Sequence, residues 1–163
     1  MNRARAWLGT TVFLFVAPGV VAGLVPWWLT GWAAGPRNPA LVVVGWLLVV
    51  TGAAALLASF ARFAVEGRGT PAPVAPTDAL VVGGLYRYVR NPMYIAVVSV
   101  ILGQALILAR PVPLVYAALV LATTATFVRV YEEPTLAERY GAEYDAYRTA
   151  VRGWWPRRHP WRN

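Results

Sequence analysis

Four long stretches of the chain contain no charged residue, and they dominate its pattern. They cover residues 6–36, 38–61, 91–109 and 111–128. Each reaches or approaches the roughly 20 apolar residues that an α-helix needs to cross a bilayer. The pattern predicts one domain, residues 1–163, with membrane-spanning helices at about 7–29, 40–63, 92–109 and 113–131.

The segments between these helices differ in length. Glycine, proline and asparagine at 35–39 predict a turn after the first helix, and the prolines and glycines of 67–76 predict an extended strap after the second. The third and fourth helices are separated by little more than Arg110 and Pro111. We therefore expect these two helices to form a tight antiparallel hairpin.

A further helix is predicted near the C-terminus. Pro134 disfavours helix at Glu133 and is a suitable first residue for a new helix. Apolar and tyrosine residues then recur at helical spacing, at Leu136, Tyr140, Tyr144, Tyr147 and Val151. The expected fold is an all-α integral membrane protein with four transmembrane helices and an amphipathic C-terminal helix in the cytoplasmic interface.

Composition and charge agree with a membrane protein. The chain is 58% hydrophobic and 13% charged, with a mean hydropathy of +0.51, which excludes an ordinary soluble domain. The net charge of +8 comes from arginines, of which only Arg37 and Arg110 lie in the two loops opposite the termini. This asymmetry predicts that both termini and the middle loop are cytoplasmic, at a plasma or inner membrane. Arginines beside apolar helices face anionic lipid headgroups, so a nucleic-acid partner is not indicated.

Several other classes of protein and site are disfavoured. There is no cysteine, and the sole histidine is His159 in the tail, so neither a disulfide framework nor a metal site is expected. The first apolar run continues through Trp27 and Trp28, beyond the length of an ordinary signal-peptide core. We interpret it as a retained membrane anchor.

Polar residues that an anchor would not need gather in two segments, 84–94 and 129–147. They adjoin the cytoplasmic ends of the third and fourth helices, which the short turn makes neighbours. Together they contain backbone donors at a helix start, carboxylates, arginines and aromatic rings. Such a set suits a zwitterionic ligand with an aromatic base.

Five short motifs lie in and beside these segments. They read Gly84-Leu-Tyr86, Arg90-Asn-Pro-Met-Tyr94, Glu132-Glu-Pro-Thr-Leu136, Tyr144-Asp-Ala-Tyr147 and Trp154-Trp-Pro156. In this order and spacing, over about residues 78–156, the chain resembles the membrane methyltransferase superfamily of isoprenylcysteine carboxyl methyltransferases and phospholipid N-methyltransferases. The resemblance implies S-adenosylmethionine as methyl donor and a lipid-like or prenylated acceptor, either a carboxylate or a phospholipid amine, at the cytoplasmic membrane interface.

The resemblance also implies residue roles. The cofactor contacts would be Leu80, Val81, Tyr86, Asn91, Pro92, Met93, Tyr94 and Glu132. The Glu132 carboxylate would accept hydrogen bonds from the donor, and the tyrosines would bracket its sulfonium or adenine. Arg90, Arg129 and Glu133 are the catalytic candidates on the acceptor side, where an arginine would neutralise a carboxylate and Glu133 would take a proton from an amine.

The chain departs from the superfamily pattern at two positions. Asn91 stands where the best-known members have histidine, and an amide cannot act as a base near pH 7. The acceptor-contacting arginine of the isoprenylcysteine enzymes would fall near Val128, whereas this chain has Arg129. One residue turns a helix face by about 100°.

Simpler interpretations remain open at this stage. Arg90 and Arg129 could anchor in headgroups, the tyrosine face could serve packing, and Glu132 and Glu133 could be solvated carboxylates paired with Arg87 or Arg90. The whole chain could instead be an NADPH-dependent reductase of the sterol-reductase type, or a non-catalytic membrane subunit of the same fold. No feature of the sequence predicts the oligomeric state.

Overall fold

The structure, a computed structural model, describes residues 11–67 and 79–162. These residues form helices and no strand: α1 (Thr11–Thr30), α2 (Pro39–Glu66), α3 (Pro92–Leu108), α4 (Val112–Tyr140) and α5 (Ala142–Ala150). A short 3-10 turn at Gly84–Arg87 precedes α3. The predicted proline strap lies almost wholly outside the described residues, as do Arg3 and Arg5.

Three of the helices are long and apolar enough to cross a membrane, namely α1, α2 and α4. The apolar helix α3 has 17 residues, somewhat fewer than the roughly 20 that a perpendicular crossing needs. The described residues are therefore all-helical, as predicted, and three of their helices can span a membrane. A count of four crossings stays a prediction.

The predicted interruption of helix at Glu133 is wrong, whereas the end of the membrane span near residue 131 stays a prediction. Helix α4 continues without a break to Tyr140, because a π-helical segment at Val128–Glu132 accommodates the approach to Pro134. The amide of Glu133 donates to the carbonyl of Val128, five residues earlier. The Thr135 hydroxyl donates to the carbonyl of Tyr131 at 2.7 Å. A π-helical turn inside an α-helix is frequently found at a functional site.

The single C-terminal amphipathic helix is also divided in the structure. Gly141 has φ +54° and ψ −127°, a conformation that residues other than glycine rarely adopt. Helix α4 therefore ends there, and α5 starts at Ala142. The predicted tyrosine face nevertheless exists as a packing surface. Tyr144, Tyr147 and Val151 form a buried cluster against the segment that precedes the 3-10 turn.

The hairpin of α3 and α4 is as short as the prolines predict. Ala109 takes a left-handed conformation with φ +50°, and α4 begins three residues later. The main core joins α2, α3 and α4 through the buried residues Leu56, Phe60, Ala96, Val97, Ile101 and Ala117. This core fixes the ends of α3 and α4 side by side.

Helix α1 is hydrogen-bonded to the rest of the bundle at a point where its own backbone lacks an amide donor. Pro26 has no amide hydrogen to give to the carbonyls of the preceding turn, where α1 is π-helical. The Tyr116 hydroxyl donates to the carbonyl of Val21 at 2.9 Å, and the Gln104 amide donates to the carbonyl of Ala22 at 2.6 Å. In hydrocarbon an unsatisfied carbonyl is costly, so these two side chains dock α1 against α3 and α4.

Replacing Gln104 by leucine tests this attachment. The substitution keeps the volume but removes the donor to Ala22 and the acceptor of the Trp32 indole N–H, so we expect the free energy of unfolding to fall by about 1 kcal/mol. The measurement is thermal unfolding in detergent micelles. Thr126→Val is the control, because the exposed Thr126 hydroxyl bonds only within its own helix, to Ala122. Equal melting of the two variants would contradict the assignment.

Candidate functional site

A cavity of about 420 Å³ lies where α1, α2, α3 and α4 meet the segment before α3. This volume is within the range of small-molecule sites. All eight predicted cofactor contacts line it: Leu80, Val81, Tyr86, Asn91, Pro92, Met93, Tyr94 and Glu132. Two of the three predicted catalytic candidates, Arg90 and Glu133, also line it. The two polar segments therefore meet in space.

The segment before α3 is positioned by contacts from two directions. The Glu66 carboxylate accepts a hydrogen bond from the amide of Gly83 at 3.0 Å, and a Cβ at Gly83 would overlap that carboxylate. The buried Tyr147 hydroxyl donates to the carbonyl of Tyr86 at 2.7 Å. The ring of Tyr86 is buried as a result, between the ends of the helices.

Tyr86 stays neutral at the cavity wall. Burial, and secondarily the negative charge of Glu132, raise the pKa of the Tyr86 hydroxyl well above its ordinary value. A neutral tyrosine adds an aromatic face and a hydroxyl without adding charge.

The two adjacent glutamates have different partners. Glu133 forms an ion pair with Arg90 at 2.8 Å, one of the pairings that the simpler interpretation anticipated. Glu132 accepts a hydrogen bond from the Tyr94 hydroxyl at 2.9 Å and, among the residues that the structure describes, has no cationic partner. The cavity thus contains one neutralised carboxylate and one that is not.

Arg90 joins three parts of the site. Besides the ion pair, its guanidinium donates to the Tyr144 hydroxyl at 3.3 Å. Its backbone amide donates to the carbonyl of Arg152 at 3.0 Å. The backbone amide of the next residue, Asn91, donates to the carbonyl of Gly153 at 3.2 Å. The C-terminal tail therefore holds the start of α3 by its backbone.

The Asn91 side chain is a buried donor with no partner. Asn91 is 6% exposed and lines the cavity, yet its side-chain amide nitrogen makes no hydrogen bond and does not cap α3. A buried, unpaired donor is costly unless a ligand or water pairs with it. The nitrogen lies beside Gly153 of the tail, and Asn91 is a candidate donor to a ligand that reaches it.

Arg129 is not brought to the site. Its side chain is exposed and does not line the cavity, whereas its neighbour Val128 is buried at the cavity wall. Successive residues of a helix point in different directions around its axis, which accounts for the difference. The catalytic role predicted for Arg129 is therefore not supported, and a position at the lipid headgroups suits it better.

Sequence reasoning missed two parts of the site. One is the wall supplied by α1, where Phe13, Ala17, Pro18 and Val21 line the cavity. Apolar residues in a membrane helix look alike whether they face lipid or a cavity, so no signal distinguished them. The other is the pair of backbone hydrogen bonds between the C-terminal tail and the start of α3. Side-chain patterns do not predict such backbone pairing.

The site can attract a cationic group and hold a polar one beside it. A partly buried carboxylate without a counter-ion favours a positive charge, and Tyr94 keeps that carboxylate in place. Asn91 offers a donor, and Tyr86 and Tyr94 offer aromatic faces. Apolar walls exclude water from the same space.

Comparison with known proteins agrees with this chemistry. The model of the phospholipid methyltransferase family matches residues 40–143, which include nearly all of α2, the whole of α3 and α4, and almost all of the cavity's polar residues. No curated protein and no solved structure matches the chain significantly. Because the matched residues make up more than half of the chain, this protein belongs to the phospholipid methyltransferase family, within the membrane methyltransferase superfamily that its motifs resemble.

Proposed function

We propose that the protein transfers a methyl group from S-adenosylmethionine to a lipophilic acceptor at the cytoplasmic face of the membrane. Membership of the family supports methyl transfer to a lipid, and a phospholipid amine is the acceptor that its name favours over a prenylated carboxylate. The arginine asymmetry supports the cytoplasmic side.

One observation carries the choice of donor. Glu132 is a partly buried carboxylate that lines an apolar cavity without a cationic partner among the described residues. S-adenosylmethionine, when bound, supplies an electrophilic methyl group on a positively charged sulfur, and it also carries an ammonium group. The cavity residues fit such a molecule, since Asn91 adds an unpaired donor for a carboxylate or ring nitrogen.

The remaining residues orient and exclude water. Tyr94 holds the Glu132 carboxylate, and the ion pair of Arg90 and Glu133 ties the start of α3 to α4. Methyl transfer depends mainly on in-line approach in a water-poor site, which a rigid apolar cavity provides. An amine acceptor must also lose a proton, and we assign its uptake to Glu133, which lines the cavity beside Arg90.

The reductase alternative is disfavoured by the same carboxylate. The 2′-phosphate of NADPH is an anion, and Glu132 would repel it unless a cation intervened. A non-catalytic subunit would have no need for the unpaired donor and the uncompensated carboxylate in one cavity.

Calorimetric titration of the detergent-solubilised protein tests the proposal. We expect saturable, micromolar-range binding of S-adenosylmethionine and of S-adenosylhomocysteine, and no binding of NADPH. Labelled S-adenosylmethionine with phosphatidylethanolamine vesicles then tests transfer. Binding of NADPH alone would support the reductase, and no binding by folded protein would support the non-catalytic subunit.

A further inference from the structure

The cavity extends from the polar site into an apolar slot between α1 and α4. The slot is lined by Phe13, Ala17 and Val21 of α1 and by Val120, Thr124 and Phe127 of α4. Helix α1 lies outside the residues that match the family, so the family match itself says nothing about this wall. The slot is continuous with the space around Glu132 and Asn91.

The slot is lined almost entirely by apolar side chains. Its polar side chain, Thr124, is satisfied by its own helix, because the hydroxyl bonds to the carbonyls of Val120 at 2.8 Å and Leu121 at 3.1 Å. The other residues that define the slot are apolar. A ligand in the slot therefore needs no polar group there, and burying one would cost free energy.

Contacts near the two ends of the slot position α1 against the rest of the bundle. At one end the rings of Phe13 and Phe60 stack with their centroids 6.1 Å apart. At the other end the Tyr116 hydroxyl joins α4 to the carbonyl of Val21 at 2.9 Å. Between these contacts α1 passes Pro18, where the helix cannot close a regular hydrogen bond. The first contact joins α1 to α2 and the second joins α1 to α4, so together they place α1 beside the slot.

These contacts also limit its size. Phe13 and Val21 are eight residues apart, so the slot is about 12 Å long at 1.5 Å per residue. At Val21 the Tyr116 side chain reaches from α4 to the backbone of α1. A length of about 12 Å and an apolar lining suit a segment of extended hydrocarbon chain.

We propose that this slot binds one hydrocarbon chain of the methyl acceptor and so places the acceptor's polar head at Glu132 and Glu133. The inference rests on the proposed function, because it assigns the chain to the acceptor of that reaction. The second chain of a two-chain lipid stays outside, in the bilayer. Helix α1 is then the element that selects the acceptor's chain.

Photo-labelling of the solubilised protein tests the slot. The probe is a single-chain lysophosphatidylethanolamine with a diazirine in its acyl chain, and the labelled residues are mapped by mass spectrometry. We expect labels on α1 and α4 at slot residues. Ala17→Phe fills the slot and is expected to lower this labelling about tenfold.

Matched controls lie one residue away. Val16 is 62% exposed, does not line the cavity and points about 100° away from Ala17 around α1, so Val16→Phe adds a similar bulk without entering the slot. Val120→Phe and Leu119→Phe form a second pair on α4, where Leu119 is 61% exposed, in case Ala17→Phe does not fold. Labelling is expected to fall in Val120→Phe and to persist in Leu119→Phe.

Binding of S-adenosylhomocysteine is measured in every variant, and it separates the two proposals. Labelling confined to outward positions, or lowered equally in slot and control variants that still bind S-adenosylhomocysteine, would overturn the slot. Slot labelling that follows the expected pattern in a protein that binds no S-adenosylhomocysteine would keep a lipid-chain site while removing its assignment to a methyl acceptor.

Discussion

Glu132→Gln is expected to weaken the binding of S-adenosylmethionine by about 10- to 100-fold while leaving the fold intact. Glutamine keeps the size of the side chain and an oxygen that can still accept the Tyr94 hydroxyl. The substitution removes the negative charge that would attract a cationic ligand to the cavity. The measurement is calorimetric titration of the detergent-solubilised variant.

The control is Glu138→Gln, the same chemical change on the same helix. Glu138 is exposed and does not line the cavity, so its charge acts on a ligand only through solvent. We expect the binding of S-adenosylmethionine to Glu138→Gln to equal that of the unmodified protein. Equal weakening in both variants would mean that the effect is a general one of net charge and would remove Glu132 from the site.

Comparing two ligands locates the charge that Glu132 faces. S-adenosylhomocysteine keeps the ammonium group of S-adenosylmethionine but lacks the positive sulfur. If Glu132 binds the ammonium, Glu132→Gln weakens both ligands by the same factor. If it faces the sulfonium, the variant weakens S-adenosylmethionine much more than S-adenosylhomocysteine. Undiminished binding of both ligands would contradict the role of Glu132 altogether.

The sequence was most informative where local chemistry decides the structure. Charge-free runs placed the four apolar helices, and the prolines around Arg110 placed the hairpin. The motif residues from Leu80 to Tyr94 do gather with Glu132 in one cavity. These outcomes follow because apolar length and tight turns are properties of a few consecutive residues.

The same reasoning failed where the backbone is irregular. Pro134 suggested a helix end, but a π-helical segment carries α4 past it. That segment, together with the rotation between successive residues, places Val128 at the cavity and Arg129 outside it. Sequence motifs do not show which side of a helix a residue faces when the phase shifts by one residue. Only the three-dimensional structure shows it.

Packing between membrane helices was equally hidden from sequence. Gly45 of α2 and Gly103 of α3 approach so closely that a Cβ on either would lie 2.6–2.7 Å from the other's carbonyl oxygen. Small residues allow such backbone contact between membrane helices. The sequence contains 14 glycines, and nothing in their local context separates these two from the rest.

Gly103→Ala is accordingly expected to destabilise the protein by about 2–3 kcal/mol. Helix propensity alone predicts the opposite sign, because alanine stabilises a helix interior by about 0.5–1 kcal/mol relative to glycine. Here the added Cβ would lie 2.6 Å from the Gly45 carbonyl oxygen and 2.7 Å from a methyl group of Val49. Neither atom is the end of a flexible side chain, so α2 and α3 must move apart.

Gly23→Ala is the matched control for this change. Gly23 is also helical, but a Cβ there has no neighbour within 4 Å apart from its own helix and chain neighbours, so only the favourable propensity remains. We expect a lower melting temperature in detergent for Gly103→Ala and an unchanged or slightly higher one for Gly23→Ala. If both variants melt at the same temperature, α2 and α3 are not in backbone contact at Gly45.

The displacement of α3 is also expected to change the geometry of the site, because α3 begins at the cavity. Separating α2 from α3 moves Asn91 and Tyr94 relative to Tyr86, which is held by Tyr147 and does not follow α3. Binding of S-adenosylhomocysteine to the folded fraction of Gly103→Ala should therefore weaken, although Gly103 itself does not line the cavity. A destabilised variant that binds normally would show that the start of α3 is positioned by its pairing with Arg152 and Gly153 alone, independently of the contact between α2 and α3.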